Sequence, residues 1–250
     1  MYPYLVHDGA IAMAHRGGAD HPDIVGYENS LRAFQHAVDL GYRYVETDLH
    51  ATSDGVVIAF HDDRLDRVTD RTGVIAELPW SEVSKARING QEPIPRLDEL
   101  LEQFPDVRFN LDVKADGGLE PSAAVLRAAN AVDRVCVSSF SQSRVNRMRK
   151  LLGPRLCTGY GQWEIALIRF LPVALPSRGA CLQIPEQHGS LHLLTPGLIE
   201  RAHARGKQVH VWTVDDADDI RRLLDAGVDG IITDRTDVLH DVLIERGQWH

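Results

Sequence analysis

Short apolar runs and amphipathic stretches alternate along almost the whole chain, and that alternation limits the fold more than any single residue does. The runs IAMAHRG, YVETDLHA, VVIAFH, VRFNLDVK, RVCVSSF, LCTGY, ACLQIP, QVHVWTV and GIITD each read as a strand. Between most of them lie segments with helical ends. NSLRAFQHAVDLG offers Ser30 as a cap and Gly41 as a stop, and TPGLIERAHARG offers Thr195 as a cap, Pro196 in the first turn and Gly206 after the last. A helix between two strands carries the chain back so that both run the same way, which makes the sheet parallel.

At 250 residues the chain fits one barrel of eight such units. The expected fold is α/β: a distorted (β/α)8 TIM barrel forming a single domain over residues 1–250. Nine strand candidates compete for eight places, and YVETDLHATSDGVVIAFH explains the surplus. Its turn TSDG is too short to cross between parallel strands, so the second and third runs form a hairpin or one lies outside the barrel. An open doubly wound sheet would show a glycine-rich nucleotide loop after its first strand, and HRGGADHPD is not one. Residues 62–95, after the third strand candidate, hold turn residues, charges and at most one helical turn. This stretch is expected to be a small insertion over the barrel mouth, serving substrate selection rather than folding.

Hydrophobic residues at 44% and charged residues at 25% describe an ordinary water-soluble chain. No apolar stretch approaches the roughly 20 residues of a membrane span, and no basic segment precedes the first apolar run, so a cytoplasmic protein is expected. A net charge of −9 argues against a general polyanion-binding surface and so against nucleic acid as partner, while leaving room for a local cationic pocket. Cys136, Cys157 and Cys181 lie in apolar runs without a C-x-x-C pair and read as buried free thiols.

Charged side chains gather where strands end. His15 and Arg16 close the first run; Glu46 and Asp48 lie in the second, with His61 and Asp62 after the third; Asp112 and Lys114 close the fourth. Residues two apart on a strand share a face, so Glu46 and Asp48 project together, as do Asp112 and Lys114. Paired carboxylates inside a barrel repel unless a cation neutralises them. With Asp112 as a third oxygen donor they suit one hard divalent ion, Mg²⁺ or Ca²⁺, although Asp112 and Lys114 can equally pair with each other. Barrel enzymes draw catalytic groups from several strand C-termini, which is where all of these fall.

In order and spacing, HRG, YENS, ETDLH, VVIAFHDDRLDRVTDRTG, EPIPRLDELL, NLDVK, VHVWTVDD and GVDGIITDR resemble the glycerophosphodiester phosphodiesterase family over nearly the whole chain. The resemblance implies a distorted (β/α)8 barrel with a small insertion after the second histidine. It implies His15 and His61 as the acid/base pair, Arg16 as a ligand of the substrate phosphate, and Glu46 and Asp48 as metal ligands; a phosphodiester monoanion there needs its charge neutralised, which Lys114 would do together with Arg16 and the ion. Asp112 stands where the family usually has a glutamate as third ligand, one methylene longer. Glu28, in YENS, matches a position that orders the site, and Trp212 matches an aromatic wall of the pocket. Asp215 replaces a frequent asparagine.

The implied reaction is metal-dependent hydrolysis of a small glycerophosphodiester to glycerol 3-phosphate and an alcohol. A vicinal hydroxyl of the substrate attacks, a cyclic phosphate forms, and water opens it. Two alternatives stand beside it: a sphingomyelinase D-like phospholipase, which shares the barrel and the paired histidines, and an inactive barrel acting as a binding protein. An isomerase or aldolase barrel lacks support, because GIITDRTD is not a glycine-rich phosphate loop.

Overall fold

The computed structural model describes residues 2–170 and 177–249. In chain order the elements are β1 (Ile11–His15), α1 (Leu31–Asp39), β2 (Tyr44–Ala51), β3 (Val57–Ala59), α2 (Trp80–Val83), β4 (Arg87–Ile88), β5 (Glu92–Pro93) and α3 (Leu97–Gln103). They continue with β6 (Arg108–Val113), α4 (Leu119–Ala128), β7 (Val135–Ser138), α5 (Gln142–Leu152), β8 (Cys157–Thr158) and α6 (Gln162–Phe170). The last are β9 (Cys181–Ile184), β10 (Gln187–His188), β11 (Leu191–His192), α7 (Pro196–His203), β12 (Gln208–Val211), α8 (Ala217–Asp225), β13 (Gly230–Thr233) and α9 (Thr236–Glu245).

Eight parallel strands line up as β8-β7-β6-β2-β1-β13-β12-β9. The ring is drawn shut between its two ends by Ala180 N–H donating to Thr158 O at 2.8 Å and Tyr160 N–H donating to Cys181 O at 2.9 Å. The surplus strand candidate is β3, which pairs antiparallel with β2 outside that ring, as the short TSDG turn requires. Both expected caps are present: Ser30 accepts from Ala33 N–H and Thr195 from Leu198 N–H. No helix among the described residues is long and apolar enough to cross a membrane.

Alternation along the strands divides the apolar residues between two layers. Val45 and Leu49 of β2, Phe109 and Leu111 of β6 and Val209 and Val211 of β12 face the helices. Ile11 and Met13 of β1, Tyr44 and Ile232 point inward, and Tyr4 closes the floor, accepting the Tyr44 hydroxyl on its carbonyl at 2.8 Å. Cys136, Cys157 and Cys181 fill the same interior as buried free thiols, the sulfurs of Cys136 and Cys181 being 3.9 Å apart. The lower barrel is therefore a packed plug, and the polar inward residues occupy the C-terminal end of the strands.

Residues 62–95 contain α2 and the β4–β5 hairpin. They are richer in buried apolar contacts than their composition suggests. Leu65, Ile75, Val83, Ala86, Ile88 and Ile94 form one cluster with Ile58 and Phe60 at the end of β3. Burying these side chains stabilises the segment against the barrel, so its part in folding is larger than the sequence reading allows.

Candidate active site

The stretch HRGG ends β1 in a turn that needs glycine at its last two positions. Arg16 adopts φ +50°, and Gly17 and Gly18 follow at +87° and +92°. A Cβ on Gly17 would meet Ala33 Cβ at 2.7 Å, and one on Gly18 would meet Thr236 Cγ2 at 2.7 Å. The chain thereby folds tightly over the strand end, and His15 and Arg16 stay at the rim of the barrel.

On the neighbouring β2, period-two alternation sends Glu46 and Asp48 inward while Val45 and Leu49 pack outward. Strands β2 and β6 pair in parallel with Asp48 opposite Asp112. Two carboxylates thus stand side by side on adjacent strands, and Lys114 spans them, its Nζ lying 2.7 Å from Asp48 Oδ1 and 2.8 Å from Asp112 Oδ2. Burial works to raise the Asp48 pKa, but Lys114 and Arg16 outweigh it and hold it low. Burial prevails at Asp112, which is raised in spite of the same lysine. Glu46 has no such ammonium. Burial and then the Asp48 charge push it up to about 8, and its nearest donors are Arg16 N–H at 3.2 Å and His15 Nε2 at 3.7 Å.

Each histidine rests on a carboxylate. His15 Nδ1 donates to Asp234 Oδ1 at 2.8 Å, and His61 Nδ1 donates to Asp62 Oδ1 at 2.6 Å, since an ionised carboxylate can only accept. Both rings are thereby held in one tautomer with Nε2 available to exchange a proton. Burial, the largest influence on His15, pulls its pKa down, but Glu46 and Asp234 together raise it above the ordinary value. Asp234 is itself fixed from behind: Asp215 Oδ1 accepts from Asp234 N–H and from the Thr233 hydroxyl, both at 2.8 Å. An ionic chain links the second histidine to the first arginine. Asp62 accepts from Arg67 Nε at 2.6 Å, Arg67 reaches Glu28 at 2.6 and 2.9 Å, and Glu28 accepts from Arg16 Nη1 at 3.2 Å.

These groups open on a cavity of about 520 Å³, which His15, Arg16, Glu46, Asp48, His61, Asp112 and Lys114 all line. Trp212 lines it too, edge-on to Phe140 with ring centroids 5.7 Å apart. Glu28 is set back from the cavity and acts on it through Arg16 and Arg67. All nine side chains singled out in the sequence therefore belong to one region. Sequence reasoning gave no role to Asp234 or Arg67. Asp234 immediately follows β13, so the strand-end rule that found the others would have found it as well. Among the described residues, none from 62 to 95 lines the cavity.

A family model described as the glycerophosphoryl diester phosphodiesterase family matches residues 15–238. A curated relative from Mycobacterium tuberculosis, named "Probable glycerophosphodiester phosphodiesterase 2", is 43% identical over 256 residues, covering 98% of this chain and 95% of its own length. The crystal structure of a glycerophosphodiester phosphodiesterase from Agrobacterium tumefaciens shares the fold with a TM-score of 0.77 at 23% identity, over 93% of this chain and 98% of that one. A phosphodiesterase from Oleispira antarctica, solved with the product sn-glycerol-3-phosphate, has a TM-score of 0.78 at 24% identity, over 94% and 97% of the two chains.

Proposed function

The chain belongs to the glycerophosphodiester phosphodiesterase family, and from that premise we propose that the cavity at the C-terminal end of its barrel hydrolyses glycerophosphodiesters to glycerol 3-phosphate and an alcohol such as choline or ethanolamine. The observation that carries the reading is the pair of histidines, each oriented by its own carboxylate and each lining the cavity that Arg16 and Lys114 also line.

Arg16 and Lys114 attract the phosphodiester monoanion. Arg16 lines the cavity with its Nε turned to Asp48, 3.4 Å from Oδ2, so the substrate phosphate would meet the guanidinium from its cavity side. The hydroxyl on the carbon next to the phosphorylated one lies within reach of phosphorus. One histidine takes its proton through Nε2 while the other gives a proton to the departing alcohol. The resulting five-membered cyclic phosphate is opened by water with the two histidines exchanging roles.

The donor set suits a hard divalent cation, Mg²⁺ or Ca²⁺. Six carboxylates (Glu28, Glu46, Asp48, Asp62, Asp112, Asp234) stand with three permanent cations (Arg16, Arg67, Lys114), and burial and then the Asp48 charge push Glu46 up to about 8 in spite of His15 and Lys114. Glu46, Asp48 and Asp112 would hold such an ion, with Lys114 relinquishing part of its present pairing. Bound there, the ion would neutralise phosphate charge and polarise the phosphorus–oxygen bonds. The inactive barrel gains no support, since His15, His61, Glu46, Asp48 and Asp112 are all present and line the cavity, and the family match over residues 15–238 favours the glycerophosphodiester reading over the sphingomyelinase D-like one.

Release of glycerol 3-phosphate from glycerophosphocholine tests the reading. His15→Ala and His61→Ala should each lower the rate roughly 10² to 10⁴-fold, the range for one lost proton-transfer group. Wild-type turnover by either variant overturns the assignment.

A further inference from the structure

The chain holds three cysteines, and all three converge. Cys136, Cys157 and Cys181 stand on β7, β8 and β9, which are consecutive once the ring is shut, and they belong to the plug beneath the catalytic cavity. None is more than 1% exposed, and no disulfide joins them. Their sulfurs all lie within 4.8 Å of one another, and those of Cys136 and Cys181 are 3.9 Å apart. Three sulfurs bound to one tetrahedral zinc ion at about 2.3 Å lie about 3.8 Å from each other, so the cluster already approaches the spacing that a single ion imposes. Ile11, Met13 and Ile232 fill other parts of the same interior, so apolar packing alone does not call for three thiols at one point.

Two further groups turn toward the cluster. His210 of β12, the strand after β9 in the ring, is fully buried and hydrogen-bonds Cys181. The Gln208 amide donates to Leu5 O at 3.2 Å and presents its Oε1 to His210 Nε2 at 3.1 Å. Nε2 therefore carries the imidazole proton and Nδ1 keeps a lone pair. A metal-bound imidazole is ordinarily held in this way by a partner on its other nitrogen. The Tyr4 hydroxyl, fully buried and close enough to all three cysteines to feel their charge, has no hydrogen-bond partner among the described residues. A thiol is a weak acceptor for it, whereas a thiolate would be a strong one.

We infer that Cys136, Cys157, Cys181 and His210 form a structural zinc site, separate from the oxygen donors of the catalytic cavity. Three protons leave as three S–H bonds give way to three Zn–S bonds, His210 completes the set as a neutral ligand, and Tyr4 donates to a thiolate. The ion would pin together the strands at the seam where the two-residue β8 meets β9. Because the ligands are buried, it would enter as the chain folds.

The test is to produce the protein in minimal medium supplemented with Zn²⁺ or with Co²⁺ and to dialyse it against chelator, which clears the exposed cavity. One zinc ion per chain should remain, and X-ray absorption should show three sulfur neighbours at about 2.3 Å. The cobalt-grown protein should show the near-ultraviolet thiolate-to-cobalt charge-transfer band, which oxygen donors cannot produce, and Cys157→Ser should lose it. Folded wild-type protein that retains no metal overturns the site, as does zinc surrounded only by oxygen and nitrogen. An undiminished cobalt band in folded Cys157→Ser overturns it too. Should that variant fail to fold, the sulfur count around zinc in the wild-type protein decides alone: three supports the site and none removes it.

Discussion

Replacing Asp234 by asparagine removes the charge behind His15 while nearly conserving shape. In the folded protein this carboxylate accepts from His15 Nδ1 at 2.8 Å, and both side chains are 17% exposed, so solvent screens the contact little. A hydrogen bond to a charged partner in such a setting contributes about 1.5–3 kcal/mol. If the bond is worth that much when the imidazolium forms in the transition state, kcat/KM falls by about 10- to 150-fold, at 1.36 kcal/mol per factor of ten. The pH profile gives a second readout. Burial lowers the His15 pKa, and Glu46 and Asp234 lift it above the ordinary value. Without the Asp234 charge the pKa falls, so whichever limb of the kcat/KM profile His15 governs moves to lower pH. Steady-state kinetics with glycerophosphocholine from acid to alkaline pH measures both effects, and thermal melting shows whether the fold is retained. An unchanged rate, or a limb that moves to higher pH, refutes the orientation of His15 by Asp234.

Other perturbations follow from the same geometry. Chelator should abolish turnover and a divalent ion restore it; a Glu46→Gln, Asp48→Asn double variant that keeps full activity in chelator removes the metal from the account. Asp112→Asn should weaken binding of that ion in calorimetry, whereas Lys114→Met should lower turnover with the ion still bound. Ile75→Ala, in the cluster that covers Ile58 and Phe60, should destabilise the protein by about 2–5 kcal/mol in denaturant titration, and a change below about 0.5 kcal/mol would return residues 62–95 to the purely accessory role read from the sequence.

The parallel sheet was legible because strands and helices alternate along the chain, the barrel over an open doubly wound sheet because HRGGADHPD is no glycine-rich nucleotide loop, and the β2–β3 hairpin because TSDG is too short for a crossover. The strand ends pointed to His15, Glu46, Asp48, His61, Asp112 and Lys114. What could not be read was which charges meet. The contact between His15 and Asp234 joins residues 219 apart in the chain, and the double pairing of Lys114 depends on the β2–β6 register, which sets Asp48 beside Asp112. The buried cluster of residues 62–95 was hidden for another reason. Its apolar residues, Leu65, Ile75, Val83, Ile88 and Ile94, are spaced irregularly among turns, so neither a helical nor a strand period reveals that they converge. The convergence of Cys136, Cys157 and Cys181 escaped notice because they lie on three separate strands, the last of which only ring closure brings beside the others.

The central claim is that the substrate's own hydroxyl attacks phosphorus, and its most direct test is the turnover of 3-hydroxypropyl phosphocholine, which is glycerophosphocholine with the 2-hydroxyl replaced by hydrogen. A nucleophile already held beside its target can act at an effective molarity on the order of 10⁵ M or more, an advantage that water does not share. The account predicts that this analogue competes with glycerophosphocholine at a similar inhibition constant yet releases choline slower by several orders of magnitude. Release at the rate of the parent compound would contradict it, making water the nucleophile and requiring new roles for His15 and His61.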